Sequence, residues 1–229
     1  MFGMQGQPLL VTSLIDHAAR EHGNREIVTR WADGRITRSN WGEVGVDARK
    51  CAAALVKLGM RKGDRIATLA MNHVHHLASW YGTAGMGGVL HTVNPRLFDE
   101  QLIYIINHAE DRILFFDKMF QPIVERIRPQ LKTVEHFIFF DADGEGDYGS
   151  FRALLDAEDG TFAWVELDER DPVGLCYTSG TTGNPKGVLY EHRSNVIHAI
   201  TEIQPDVFDL SNRSVILPIV PMFHANSWG

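Results

Sequence analysis

The chain has 229 residues, of which 44% are hydrophobic and 22% are charged, proportions typical of a globular protein rather than a disordered, collagen-like or coiled-coil chain. Its 22 basic and 29 acidic residues give a net charge of −7, whereas a nucleic-acid-binding protein usually carries a basic excess. The composition therefore disfavours general binding to nucleic acid or to an anionic membrane.

Helical and strand patterns alternate along the chain. Apolar residues at helical spacing predict helices over residues 12–22, 39–58, 73–86, 98–108 and 119–127. Short apolar runs predict strands over residues 26–31, 64–70, 89–93, 112–116, 134–140 and 173–178. Thr12 or Ser13 is the expected N-cap of the first helix, Gly59 ends the second, and Pro129 closes the last. This alternation predicts an α/β fold, a parallel-rich sheet flanked by helices on both faces.

The charged stretch 166–171 lies just before the last predicted strand. We therefore predict a first α/β subdomain over residues 1–170 and the start of a second over residues 171–229. The most apolar stretch, 78–93, is too short and too broken by glycines to span a bilayer, and no signal peptide is evident. Cys51 and Cys176 form no CxxC pair, so we expect two reduced, buried thiols in a cytoplasmic protein.

Two motif matches in the loop 141–149 are expected to be spurious. The segment GEGDYG fits the GxGxxG pattern, but the carboxylates of the loop would repel a pyrophosphate. The same loop begins like a calcium loop, yet the twelfth position holds Arg152 where a bidentate Glu is needed. A solvated acidic turn is the favoured interpretation.

Three histidines, His73, His75 and His76, cluster at the start of a predicted helix. Zinc sites combine such residues with further His, Cys or carboxylate ligands at defined spacings, and none lies nearby in the sequence. We expect these histidines to face solvent or to satisfy backbone groups rather than to bind a metal.

The segment YTSGTTGNPKGV, residues 177–188, directly follows the last predicted strand. Its glycines expose backbone N–H groups, its hydroxyls add donors or a magnesium ligand, and Lys186 supplies a mobile positive charge. Together these residues predict a phosphate-binding loop. The spacing does not fit GxxxxGK[ST], because Pro185 precedes Lys186 and Gly187 follows it, so a P-loop NTPase is disfavoured.

This loop resembles the phosphate loop of the adenylate-forming enzymes, which include acyl-CoA synthetases, adenylation domains of peptide synthetases and luciferases. Two further segments resemble family motifs in the same order: GMGGVLHTVNPRL at 85–97 and PMFHANSWG at 221–229. The last form is closest to medium- and long-chain fatty acyl-CoA ligases and to methylmercaptopropionate-CoA ligases. The resemblance covers essentially the whole chain and implies the N-terminal portion of the adenylate-forming fold.

The resemblance implies that ATP and a carboxylic acid form an acyl-adenylate with release of pyrophosphate, and that the acyl group then passes to CoA. It implies that Thr178 ligates Mg²⁺ and that His224 lies near the acyl and adenylate site. It places Ala225 beside the nucleotide, and it makes Trp228 a gate to an acyl tunnel, against the alternative of a core aromatic. The implied ligands of the β- and γ-phosphates are Thr178, Ser179, Gly180, Thr181, Thr182, Gly183 and Lys186.

Family members are much longer, and their magnesium-binding Glu, ribose-binding acid and catalytic lysine follow the third motif. We therefore interpret the chain as the N-terminal part of an ATP-dependent acyl-CoA ligase and expect it to be inactive alone. Two alternatives stay open: a non-catalytic MgATP-binding module, and an adenylation domain that loads a carrier protein. The resemblance also allows a homodimer, which no feature of the sequence itself indicates.

Overall fold

The computed structural model describes residues 6–178 and 184–224. A seven-stranded sheet forms its centre, with the strand order β7-β6-β5-β3-β4-β8-β9, and a separate hairpin pairs β1 with β2. The helices are α1 (Val11–His22), α2 (Trp41–Lys57), α3 (Val74–Gly85), α4 (Asp99–Ala109), α5 (Gln121–Ile127), α6 (Phe151–Asp156) and α7 (His192–Glu202). The strands are β1 (Glu26–Arg30), β2 (Ile36–Asn40), β3 (Arg65–Leu69), β4 (Val89–Thr92), β5 (Ile113–Phe116), β6 (His136–Phe139), β7 (Gly149–Ser150), β8 (Pro172–Thr178) and β9 (Lys186–Glu191).

The sheet is parallel from β7 to β8, and only β9 runs antiparallel to its neighbour. The central strands are buried on both faces, which is why they appear in the sequence as continuous apolar runs. Alternate residues point to opposite sides: Ile113 and Phe115 join the core with α1, α2, α3, α6 and α7, whereas Leu114 and Phe116 join the core with α4 and α5. The predicted parallel-rich sheet with helices on both faces is confirmed.

The boundaries of several elements differ from the predictions because tertiary contacts decide them. Helix α1 begins at Val11 after Leu10, and Ser13 Oγ donates to the Leu10 carbonyl instead of capping the helix. Residues 39–40, predicted as helix, complete the β1–β2 hairpin, so that α2 begins at Trp41 with the Asn40 side chain accepting from the Glu43 N–H at 2.9 Å. Gly59 follows α2 with φ +86°, as expected of a helix-terminating glycine.

Helix α5 is shorter than predicted. A 3-10 turn, Lys118–Phe120, precedes it, and a second one, Arg128–Gln130, follows it, so Pro129 lies inside a 3-10 turn rather than directly ending the helix.

Strands β7 and β9 and helices α6 and α7 were not predicted. Strand β8, which falls in the second predicted subdomain, hydrogen-bonds to β4 within the same sheet, and the division at residue 170 stays a prediction.

Both cysteines are free thiols, Cys51 fully buried and Cys176 half-buried. Burial raises the pKa of each thiol. Across residues 6–178 and 184–224, no helix is long and apolar enough to cross a membrane.

At the carboxyl end of β3, the connections that follow neighbouring strands run to opposite faces of the sheet. Helix α3 leaves β3 toward one face of the sheet, while α4 and α5 leave the neighbouring strands β4 and β5 toward the other face. In open α/β sheets such a point leaves a crevice outside the carboxyl ends of the strands, where ligands bind. The three motifs of the sequence must be located relative to this edge.

Candidate functional site

The phosphate-loop motif connects two paired strands. Thr178 ends β8 and Lys186 begins β9, and the two residues are register partners in the antiparallel ladder. The hydroxyl of Thr178 donates to the carbonyl of Lys186 at 3.5 Å, and both side chains are exposed. The structure therefore brings these two predicted site residues together at the base of the loop, on the carboxyl-end edge of the sheet.

Several other predicted residues cannot be placed in this way. Ser179, Gly180, Thr181, Thr182 and Gly183 of the loop lie outside the described residues. Ala225 and Trp228 of the third motif also lie outside them. Their assigned roles stay predictions.

Tyr177 anchors the strand end that leads into the loop. Its ring packs 5.1 Å from the ring of His91 in β4, and its hydroxyl is 2.7 Å from His108 Nδ1 in α4. Burial, reinforced by the charge of Asp111, raises the pKa of Tyr177 to about 12. The phenol therefore stays neutral and serves as a packing and hydrogen-bonding group beneath the loop.

The second motif supplies the support for Tyr177. His91 and Asp111 are both fully buried, and His91 Nδ1 lies 2.6 Å from Asp111 Oδ2. Burial raises the pKa of Asp111, against the opposing effect of His91. Asp111 was missed in the sequence, although an aspartate two residues before the fully apolar strand β5 was a visible signal. The pair ties the middle of β4 to the start of β5.

The third motif is held at the end of β3 by Asn72. The Asn72 Nδ2 donates to the carbonyls of Pro218 and Val220 at 3.0 and 2.9 Å, and the Met222 N–H donates to Asn72 Oδ1 at 2.6 Å. His224 is exposed, and its N–H donates to the Pro221 carbonyl at 2.8 Å. Sequence reasoning missed Asn72, although a polar residue just past a buried strand is the usual position of a site residue in this class of sheet.

The second and third motifs also meet each other. Phe223 is 8% exposed, and the guanidinium of Arg96, in the loop after β4, lies 5.8 Å from its ring centroid. Because β4 is next to β8 in the sheet, the carboxyl ends of β3, β4 and β8 carry parts of all three motifs. Segments that are far apart in the sequence therefore lie at the same edge of the sheet.

The histidine cluster is structural, as predicted, but it does not face solvent. His73 and His76 are buried and His75 is half-buried. Each ring bonds a backbone group: His73 Nδ1 accepts from the His76 N–H, His75 Nδ1 lies 2.5 Å from the Phe140 carbonyl, and His76 Nδ1 lies 3.1 Å from the Met71 carbonyl. Of the two predicted alternatives, the histidines satisfy backbone groups rather than face solvent, because the aromatic side chains of Trp31 and Phe140 pack over them.

Asp117, at the end of β5, fixes the turn that follows β3. Its Oδ2 accepts from the Met71 N–H at 2.8 Å, and its Oδ1 accepts from His73 Nε2 at 2.9 Å. Burial acts to raise the pKa of Asp117, but the hydrogen bond and charge of His73 and the Met71 N–H outweigh it, so the pKa lies below its ordinary value. The buried carboxylate therefore stays ionised and holds both neighbours of Asn72.

The acidic loop 141–149 is a surface turn, as predicted. Asp143, Glu145 and Asp147 are exposed; Glu145 pairs with Lys118, and Asp147 lies 3.4 Å from Arg128. Arg152, at the position where a calcium loop needs its closing Glu, instead pairs with Asp156 in α6. Within the described part of the chain, no group of three His, Cys, Asp or Glu residues is arranged to hold a metal ion.

Comparison with known proteins agrees with this geometry. Residues 15–229 match the family described as AMP-binding enzyme. The chain is 51% identical to 3-methylmercaptopropionyl-CoA ligase of Ruegeria lacuscaerulensis and 47% identical to medium-chain-fatty-acid–CoA ligase of Ectopseudomonas oleovorans. Each alignment covers 99% of this chain but only 43% and 42% of the relative, so the chain spans less than half the length of these curated relatives.

A solved structure shares the fold. A putative long-chain-fatty-acid CoA ligase from Rhodopseudomonas palustris superposes with a TM-score of 0.84 at 22% identity, covering 97% of this chain and 54% of that one. The family match extends over nearly the whole chain, and parts of the three motifs meet at one edge of the sheet. The chain belongs to the AMP-binding enzyme family.

Proposed function

We propose that this chain is the N-terminal part of an ATP-dependent acyl-CoA ligase. The enzyme activates a carboxylic acid, most simply a fatty acid, as an acyl-adenylate and transfers the acyl group to CoA. The observation that carries the proposal is the pairing of Thr178 with Lys186 at the base of the phosphate loop, on the sheet edge that also carries the segment ending at His224. The relatives that align over 99% of the chain are CoA ligases.

In the first step a carboxylate oxygen attacks the α-phosphorus of ATP, the bond to the pyrophosphate oxygen breaks, and pyrophosphate leaves. In the second step the thiol of CoA gives up its proton and its sulfur attacks the acyl carbon. The bond from that carbon to the AMP oxygen breaks, AMP leaves, and a thioester forms. Both steps bring anions together, so that the protein must position them and offset their charge. The exposed ammonium of Lys186 and the loop residues Ser179, Gly180, Thr181, Thr182 and Gly183 would bind the β- and γ-phosphates.

The residues present fit magnesium only in part. The exposed hydroxyl of Thr178 can supply one ligand, while Mg²⁺ requires an octahedron of oxygen atoms. Because the described residues hold no His, Cys, Asp and Glu cluster suited to a metal, ATP phosphates, waters and a further carboxylate would complete the shell. The ion would neutralise phosphate charge.

His224 would lie at the acyl and adenylate site, Ala225 beside the nucleotide, and Trp228 at the acyl entrance.

The remaining parts of the proposal concern the acid, the compartment and the assembly. The names of the relatives favour a medium-chain, long-chain or methylmercaptopropionate-like acid. We propose a cytoplasmic location and allow a homodimer, by analogy with similar ligases. The division into a subdomain over residues 1–170 and a second that begins at residue 171 belongs to the same proposal.

Carboxylate-dependent ATP–pyrophosphate exchange by the natural-length gene product tests the proposal. Lys186→Ala should lower the exchange rate about 100-fold, the usual effect of removing a charge that stabilises a transition state. Lys132→Ala is the matched control, because Lys132 is also exposed but lies far along the chain from the loop, between α5 and β6. Exchange that is unaffected by Lys186→Ala would contradict the assigned role of the loop.

A further inference from the structure

The side chain of Asn72 joins two distant parts of the chain through hydrogen bonds to backbone atoms of the other segment. Its carboxamide hydrogen-bonds to Pro218, Val220 and Met222, which lie 146 to 150 residues further along the chain. The two carbonyls face its NH₂ group and the N–H faces its oxygen, so every partner meets an atom of the complementary type. This arrangement recognises the backbone of the segment regardless of its side chains.

The segment has little other apolar anchoring just before this point. Leu217 and Ile219 are 80% and 83% exposed, whereas Met222 and Phe223 are buried. The transition from an exposed to a buried segment therefore occurs where Asn72 holds the backbone. The guanidinium of Arg96, in the loop after β4, lies 5.8 Å from the centroid of the Phe223 ring.

Asn72 is itself held rigidly. The residues on either side of it, Met71 and His73, both hydrogen-bond to the buried carboxylate of Asp117. His73 also begins α3, since its Nδ1 accepts from the His76 N–H at 3.0 Å. The carboxamide therefore projects from a turn that is fixed to β5 on one side and to α3 on the other.

We infer that Asn72 is a positioning residue of the carboxylate-activating site: it holds the segment 218–224 at the carboxyl end of β3 and thereby sets the position of His224. The kinetic part of this inference rests on the proposed ligase function. The structural part, the attachment of the segment, does not depend on it.

Hydrogen exchange in the natural-length protein tests the attachment directly. In Asn72→Ala, peptides that contain the Met222 amide should exchange about tenfold faster, because the substitution removes the hydrogen bonds that hold this segment. The matched control is Asn107→Ala. Asn107 makes the same kind of clamp, donating to the Gln130 carbonyl at 2.9 Å and accepting from the Lys132 N–H at 2.8 Å, but on a turn that carries no motif residue.

An isosteric variant separates the clamp from simple packing. Asn72→Asp has the same shape and can still accept from the Met222 N–H, but it places a carboxylate oxygen against two carbonyls. It should therefore release the segment as Asn72→Ala does. Unchanged exchange around Met222 in both variants would overturn the inference, whatever the activity.

Kinetics of ATP–pyrophosphate exchange complete the test. Asn72→Ala should lower kcat/KM for the acid about tenfold through misplacement of the acyl side of the site, while KM for ATP stays within twofold and Asn107→Ala behaves like the wild type. An equal loss in the acid and ATP parameters would overturn the positioning role. If the wild-type protein catalyses no ATP–pyrophosphate exchange with any acid, the proposed function and the kinetic part of the inference are refuted. Hydrogen exchange at the Met222 amide would still test whether Asn72 holds the segment 218–224.

Discussion

Three histidines, His75, His76 and His192, are kept neutral by their surroundings. Burial lowers the pKa of His75 to about 4, that of His76 to about 3 and that of His192 to about 4. Neutral rings suit their contacts: His76 Nδ1 faces the Met71 carbonyl and its Nε2 faces the Thr68 hydroxyl at 3.0 Å, while His192 Nδ1 accepts from the Val11 N–H at 3.2 Å. Protonation would force a charge into these sites.

The stability of the protein should therefore fall as the pH drops below about 6.5, the pKa of histidine in an unfolded chain. Between that pH and about 4 the unfolded state binds protons that the folded state does not, so each histidine adds a slope approaching about 1.4 kcal/mol per pH unit. The stability that these groups provide is complete above pH 6.5 and is lost as the pH falls through this window. Urea midpoints of the natural-length protein at pH 7 and pH 5 measure the effect.

The variant His76→Gln assigns part of that slope to one ring. It should lower stability at pH 7, since packing and hydrogen bonds are lost, but it should reduce the further decrease between pH 7 and pH 5. His17→Gln is the control, because His17 is exposed on α1. An identical pH dependence in wild type and His76→Gln would show that His76 is not held neutral.

At the scale of elements, the sequence predicts those strands and helices whose burial gives them a clear apolar pattern. Strands β3, β4 and β5 are buried on both faces and were found as apolar runs. Strand β9 was missed because it is mostly exposed, and α7 was missed because it buries only His192 and Val196, which gives it no apolar stripe. Caps were less predictable: Asn40 begins α2 because the β1–β2 hairpin ends there, a long-range cause that local pattern does not contain.

The candidate site shows the same division. The loop lysine and hydroxyls could be proposed from the sequence because their chemistry is unusual in one short stretch, and their roles stay predictions. Asn72, Asp111 and Asp117 were not predicted, because their significance arises only when the strands are placed side by side. The sequence therefore suggests candidate ligand-binding groups, whereas the residues that hold the site segments in place become visible only in the fold.

The end of α3 provides a test of packing. Gly85 lies against Trp164, and a Cβ at Gly85 would be 2.1 Å from the Trp164 ring. Trp164 is held there by hydrogen bonds from its Nε1 to Asp16 and by the guanidinium of Arg49, 4.2 Å from the centroid. Gly85→Ala should therefore lower the free energy of unfolding by about 2 kcal/mol or more, the cost typical of an overpacked core.

A double-mutant cycle isolates this contact. In a Trp164→Ala background the added methyl group has no ring to meet, so the cost of Gly85→Ala should become much smaller. Urea midpoints of the four proteins give the coupling free energy. Equal costs in the two backgrounds would mean that the methyl group is accommodated without displacing the ring.

On the scale of the whole molecule, the chain brings parts of three motifs to one edge of a mostly parallel sheet. It also presents an exposed apolar stretch, in which Val215, Leu217 and Ile219 are 98%, 80% and 83% exposed. Its relatives are more than twice as long as the aligned region. We therefore expect that residues 1–229 alone do not form acyl-CoA, because the CoA ligases that they match are more than twice as long.

The most direct test of the central claim is product analysis of the natural-length protein with ATP, Mg²⁺, CoA and carboxylic acids of increasing chain length, alongside residues 1–229. The account predicts acyl-CoA, AMP and pyrophosphate in equal amounts from the natural-length protein and no acyl-CoA from residues 1–229. MgATP binding without consumption of any acid would contradict it and favour a binding module. Acyl-adenylate that is transferred to a carrier protein but not to CoA would contradict the ligase assignment.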